Sequence, residues 1–197
     1  MIKLSDRTYH GLVLDPFQEK ALDAIDAGKS VIVAAPTGTG KTLVADYLVE
    51  KVMAEGRRII YTAPIKALSN QKYKDYKELF GVQKVGILTG DVVLNSEAPL
   101  IIMTTEIFRN QVITNDPALE SVSYIIFDEI HWLNDEERGT VWEESIILAP
   151  SHMKLLGLSA TIANAQQLVE WISTIREEEV ELTQEHRRVV PLEDCYF

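Results

Sequence analysis

Short apolar runs rich in β-branched residues recur along this chain, and a longer amphipathic stretch follows almost every one. The runs fall at 30–35, 58–63, 85–88, 100–104, 124–128, 155–159 and 180–183. They are apolar nearly throughout rather than on alternate residues, which is the pattern of strands buried on both faces of a parallel sheet. Helical spacing fills the intervals at 41–54, 66–80, 106–112, 141–148 and 165–173. The alternation predicts one α/β domain over 1–197, a mostly parallel sheet with helices on both faces and right-handed crossovers. Ahead of the first run, Asp15-Pro16 reads as a helix start, with Asp as cap and Pro at the first helical position. That helix covers 17–27, and Gly28 can end it.

The sharpest local signal is Ala35-Pro36-Thr37-Gly38-Thr39-Gly40-Lys41-Thr42, lying between the strand of Val31-Ile32-Val33 and a helix. Gly38 and Gly40 let the backbone curl so that successive N–H groups point inward at an anion, aided by the helix N-terminus. Lys41 supplies a charge for β- and γ-phosphates, and Thr42 a hydroxyl for Mg²⁺. The general phosphate-loop pattern begins with Gly, and here Ala35 stands in that place. The plainer alternative is a glycine-rich turn with a surface lysine; strand, loop and helix coinciding weigh against it.

Tyr124-Ile125-Ile126-Phe127 is a second apolar strand, and Asp128-Glu129-Ile130-His131 follows it. Ligands of open α/β sheets sit beyond the carboxyl ends of strands, so Asp128 is expected on the same edge as the phosphate loop. There it can hold Mg²⁺, largely through water, while Glu129 orients and deprotonates an attacking water. His131 is placed to couple this site by hydrogen bonding to Ser159-Ala160-Thr161, which ends the strand Leu155-Leu156-Gly157-Leu158. A capping role for the acidic pair and a simple strand-end turn for Ser159–Thr161 are the plainer alternatives.

The chain carries 19 Lys and Arg against 30 Asp and Glu, a formal charge of −11. Its average surface therefore repels phosphate, which excludes a simple polyanion-coating protein but not one with a local basic track. Six basic residues, Arg57, Arg58, Lys66, Lys72, Lys74 and Lys77, with only Asp75 among them, reverse the sign locally. Lys72, Lys74 and Lys77 fit the wet face of a helix equally well. The acidic run of Glu177, Glu178 and Glu179 reads as a solvated face or turn. Cys195 is the sole cysteine, so no internal disulfide forms, in keeping with a reducing intracellular, cytoplasmic setting. No apolar run is long enough to span a bilayer, and the start lacks the apolar core of a signal peptide, so no membrane is expected.

Taken in order, APTGTGKT, APIKALSNQ, TGD, TTE, DEIH and SAT resemble the first RecA-like motor domain of superfamily 2 helicases. DEIH in place of DEAD, with TGDVVLN, TTEIFRN, ERGTVWEE and EHRRVVPLE, is most similar to the Ski-type, exosome-assisting RNA helicases. The resemblance runs from about Phe17 to Pro191. It implies a RecA-like P-loop NTPase fold that uses ATP and Mg²⁺. Gln18 matches the glutamine that reads adenine, an amide contact natural for Gln. Pro36, Thr37, Gly38, Thr39, Gly40, Lys41 and Thr42 match the ATP cradle. Asp128, Glu129 and His131 match the catalytic segment, and Ser159 and Thr161 the residues linking hydrolysis to strand movement.

The resemblance also implies a nucleic-acid track over Pro64, Lys66, Thr89, Gly90, Asp91, Thr105 and Arg109. Its expected occupant is single-stranded RNA with a 3′ tail, within an RNA-decay complex. Helicases of this kind close a second RecA-like domain over ATP and supply arginine fingers from it. The chain stops at Phe197, where a first domain would finish, and Arg187 and Arg188 do not reproduce the arginine motif. A second domain is therefore expected in cis elsewhere, and slow hydrolysis by this domain alone. Three other readings stay open: a DNA-repair helicase domain, a nucleotide-binding module that does not turn over, and a P-loop metabolite kinase, which would leave SAT and TTE unexplained.

Overall fold

All five residues of the run Ser30–Ala34 are buried, which a strand achieves only when both sheet faces are covered. A computed structural model describes residues 7–136, 138–162 and 164–186. Cys195, Arg187 and Arg188 lie outside the described residues, as does most of EHRRVVPLE. A hairpin of β1 (Thr8–Tyr9) and β2 (Leu12–Val13) precedes α1 (Pro16–Asp26), β3 (Ser30–Ala34), α2 (Lys41–Ala54), β4 (Arg58–Ala63) and α3 (Lys66–Phe80). There follow β5 (Val85–Leu88), β6 (Val93–Leu94), β7 (Leu100–Thr104), α4 (Thr105–Ile113) and a short 3-10 helix, Pro117–Ser121. The chain continues through β8 (Val122–Phe127), a second 3-10 helix Ile130–Asn134, α5 (Gly139–Leu148), β9 (Lys154–Ser159), α6 (Ala165–Arg176) and β10 (Val180–Gln184).

The main sheet runs β10-β3-β9-β8-β4-β7-β5-β6, and only β6 is antiparallel to its neighbour. Alternation of side chains splits the core into two layers. Val31, Val33, Ile59, Tyr61 and Ile126 pack towards α1, α2 and α3, while Ile32, Ile60, Ile125 and Leu155 pack towards α4, α5 and α6. Register then sets the functional edge. Ala34 lies opposite Ser159, and Thr62 opposite Phe127, so the segments leaving β3, β9, β8 and β4 all emerge along one rim.

Local sequence explains the element ends. Asp15 caps α1 with Pro16 in its first turn, and the Asp15 N–H donates to Gln18 Oε1 at 2.9 Å. At the other end the Gly28 and Lys29 N–H groups donate to the Ile25 and Ala24 carbonyls, a Schellman closure that satisfies the last turn. Among the described residues no helix is long and apolar enough to cross a membrane.

Two sequence expectations change. The basic stretch is not one track: Arg57 and Arg58 stand at the start of β4 and Pro64 just beyond its end, about 20 Å of strand apart. There Arg58 donates to the Ser96 and Ala98 carbonyls and to Ser121, and Arg57 pairs with Glu55. The acidic run is also divided. Glu177 and Glu179 are exposed, but Glu178 turns inward, pairs with Lys154 and Arg176, and accepts from Ser30 Oγ at 2.8 Å.

Candidate functional site

The loop from Pro36 to Gly40 joins β3 to α2 through two left-handed glycines, Gly38 at φ 84° and Gly40 at φ 85°, a backbone region that other residues enter only at a cost. Within the loop Thr39 Oγ1 donates to the Pro36 carbonyl at 2.7 Å. Lys41 Nζ donates to the Ala35 and Pro36 carbonyls at 2.6 and 3.0 Å. Thr42 is exposed on the first turn of α2. The Ala35 N–H donates to the Ser159 carbonyl at 3.1 Å, tying the loop to the end of β9.

Gln18 is buried, not an exposed helix residue. Its Nε2 donates to the Thr39 and Gly40 carbonyls at 3.3 and 3.2 Å, so α1 supports the loop from behind.

Asp128 leaves β8 two strands away. The Tyr61 hydroxyl donates to its Oδ2 at 2.6 Å, and the Glu129 N–H to its Oδ1 at 3.0 Å. Tyr61 is fully enclosed, its ring edge-on to Tyr76, whose hydroxyl donates to Asp46 at 2.8 Å. Burial and the facing Asp128 carboxylate push the Tyr61 phenol well above its ordinary range, so it remains a donor. Glu129 takes left-handed backbone at φ 53°, strain that persists only where the surroundings hold it. The loop and the acidic pair sense each other: burial lowers the Lys41 ammonium from its ordinary range, while Glu129 and Asp128 pull it upward.

His131 Nδ1 lies 3.3 Å from a Glu129 oxygen without hydrogen-bond geometry. No hydrogen bond joins it to Ser159 or Thr161 among the described residues. Ser159 is buried with its hydroxyl unpartnered, and Thr161 is exposed. His131 instead lines a cavity of about 220 Å³ together with Ile162 and Asn164, the residues flanking the end of that turn.

On the same rim a second, open groove of about 380 Å³ is lined by Pro64, Lys66, Gly90, Glu106 and Arg138, gathering part of the track named from sequence. Thr89 starts a tight turn in which its N–H and carbonyl both bond Val92, and Asp91 in that turn pairs with Lys66. Arg109 pairs with Glu144. Thr105 departs from its expected place: it is wholly buried with its hydroxyl unpartnered, because the first turn of α4 directs Glu106 outward instead. Sequence reasoning missed Tyr61, Glu106, Arg138 and Glu144. A signal existed for three of them, Glu106, Arg138 and Glu144, since TTEIFRN and ERGTVWEE each carry an acid and an arginine that can face the other.

Among the described residues no group of three or more His, Cys, Asp or Glu could hold a metal ion unaided. A carboxylate and a hydroxyl on one rim, Asp128 and Thr42, are hard oxygen donors that suit Mg²⁺ completed by phosphate and water.

The DEAD/DEAH box helicase family matches residues 15–168. Relatives include "Probable helicase HelY" of Mycobacterium tuberculosis, 44% identical over 89% of this chain and 19% of its own. Another is "DExH-box ATP-dependent RNA helicase DExH9" of Arabidopsis thaliana, 44% identical over 93% of this chain and 18% of its own. The chain thus spans less than a fifth of each. Among solved structures, the Pyrococcus furiosus Hef helicase domain superposes with a TM-score of 0.64 over 87% of this chain and 39% of that one, at 24% identity, a likeness of fold. With matched residues that take in the phosphate loop, the acidic pair and the Ser159 turn, the chain belongs to the DEAD/DEAH box helicase family.

Proposed function

We propose that this chain is the first, ATP-binding motor domain of an RNA helicase, working with a second RecA-like domain to move along single-stranded RNA. The observation that carries the reading is the shared rim: the phosphate loop leaves β3 and Asp128 leaves β8 at the same end of a parallel sheet, two strands apart. Backbone N–H groups of the loop and Lys41 bind the β- and γ-phosphates. Asp128 and Thr42 hold Mg²⁺, which when bound neutralises phosphate charge. Glu129 orients water in line with the γ-phosphate and takes its proton. Gln18 reads adenine by exchanging its present carbonyl partners, and Ser159, Thr161 and His131 pass the change on. The groove over Pro64, Lys66 and Gly90, with Thr89, Asp91 and Arg109 beside it, grips the sugar–phosphate backbone, the part of a strand that carries no sequence information. Arginine fingers come from the second domain, so this domain alone turns over slowly.

RNA is favoured over DNA by the relative named an RNA helicase. A 3′-tailed substrate within an RNA-decay complex, in an intracellular setting, completes the reading.

The test is ATP turnover by the full-length protein with and without RNA, comparing wild type, Lys41→Ala and Glu129→Gln. Each substitution is expected to lower RNA-stimulated kcat at least about 100-fold, the order of effect of a general base. Equal turnover in all three overturns the assignment. Preference for DNA over a matched RNA oligonucleotide in competition overturns the choice of strand.

A further inference from the structure

The segment ERGTVWEE, given no role in the nucleotide chemistry proposed above, ties the acidic loop to the groove through Arg138. From Glu129 the chain enters the 3-10 helix Ile130–Asn134 at once. Asp135 then closes the turn, its Oδ1 accepting from the Arg138 N–H at 2.9 Å and its carbonyl from the Gly139 N–H at 2.8 Å. Gly139 is required here, because a Cβ would collide with the Leu133 carbonyl oxygen. The connection between the acidic pair and α5 is therefore short and tightly built.

Arg138 stands at the head of α5. Its guanidinium lies 5.2 Å from the Trp132 ring centre and 5.7 Å from that of Trp142, and these two rings are stacked. Trp132 belongs to the 3-10 helix and Trp142 is fully buried in α5, so the cation is clamped by both halves of the connection. From there one guanidinium nitrogen donates to the Pro64 carbonyl at 2.6 Å and pairs with the Glu106 carboxylate. Pro64 follows β4 and Glu106 opens α4, and both line the groove. A second pair of opposite sense, Glu144 of α5 with Arg109 of α4, fixes the same two helices one turn further on.

We propose that Arg138 is a positioning residue that couples the acidic loop to the nucleic-acid groove, holding the Pro64 and Glu106 walls in a fixed relation to Glu129. The inference rests on the helicase reading above. A planar fork suits this duty, since it can serve a carbonyl, a carboxylate and two ring faces together. Partly exposed pairs of this kind contribute little to overall stability, so removing one is not expected to unfold the domain.

The experiment uses the full-length protein with a single-stranded oligouridylate. Arg138→Ala is expected to raise the RNA concentration for half-maximal stimulation about ten-fold, the scale of a lost coupling contact, and by a larger factor than it lowers RNA-free ATP turnover. Arg138→Lys, with the charge but not the fork, is expected to recover part of the loss. Glu106→Gln should reproduce the defect, and the double variant Arg138→Ala/Glu106→Gln should be little worse than either, as for residues acting as one unit. Thermal unfolding of each variant reports folding separately. RNA stimulation at wild-type level in Arg138→Ala overturns the proposal. An equal fall in RNA-free and RNA-stimulated turnover overturns it too, by showing a general defect. A wild type that RNA does not stimulate overturns the helicase reading instead, and is seen before any variant is made.

Discussion

The Tyr61 hydroxyl donates a 2.6 Å hydrogen bond to Oδ2 of Asp128, reaching it from the neighbouring strand β4. The Glu129 N–H holds the other oxygen, so the carboxylate presents its remaining lone pairs in a fixed direction. Tyr61→Phe removes one oxygen and keeps the ring against Tyr76. Hydrogen bonds to charged groups are worth roughly 1.5–3 kcal/mol, so the Mg²⁺ concentration for half-maximal ATP turnover is expected to rise about ten-fold or more. A Mg²⁺ titration of Tyr61→Phe matching wild type would show that the hydroxyl only packs.

Buried phenols set an alkaline limit on stability. Burial, with Asp128 for Tyr61 and Asp46 for Tyr76, pushes both well above the ordinary range, and burial raises Tyr124 to about 12. In the unfolded chain each ionises near the ordinary value of about 10. Because the folded values are the higher, this part of the stability is complete below about pH 10 and is lost as pH climbs through the folded values. The denaturant midpoint is expected to fall above about pH 10, with tyrosinate absorbance from these residues appearing alongside unfolding. Ionisation of every tyrosine near the ordinary value in the folded protein would contradict this.

Glu178 governs the opposite edge of the sheet. Arg176 has a side chain only 3% exposed, donates to Glu178 at 2.8 Å and also serves the Ile146 and Ala149 carbonyls at the end of α5 and the Met153 carbonyl just before β9. Glu178→Gln leaves that guanidinium short of its counter-charge, and a loss of about 2–3 kcal/mol is expected, tempered by the partial exposure of Lys154. Burial opposes the Glu178 carboxylate, but Lys154, Arg176 and Ser30 outweigh it and hold it below its ordinary range. Its contribution is therefore complete above about pH 4.3 and disappears as pH falls through the lower folded value. Urea midpoints against pH should show a shallower acid limb in Glu178→Gln. A variant as stable as wild type at neutral pH would sink this account.

What could be read beforehand depended on how far each signal extended along the chain. The spans 41–54 and 66–80 coincide with α2 and α3 because their apolar spacing persists for several turns. The strand read at 124–128 begins instead at Val122 and stops at Phe127, although the Asp128 N–H still donates to the Thr62 carbonyl of β4 at 3.0 Å. The hairpin of β1 and β2 and the edge strand β6 have two residues per strand, too few to show any period. The phosphate loop and acidic pair were legible because their chemistry is written in adjacent residues. Tyr61 with Asp128 and Arg138 with Glu106 were not, since 67 and 32 positions separate the partners and only sheet order brings them together. The burial of Thr105 was hidden for a related reason: a motif names a turn, while helix phase decides which of its side chains faces out.

Lys41 spends its donors on the Ala35 and Pro36 carbonyls of its own loop. A triphosphate that captures this ammonium must take it away from those oxygens, so the gain on association is a difference between two satisfied arrangements rather than a whole contact. Such a swap lowers the net gain on binding, and the ammonium returns to its own loop when the phosphates leave.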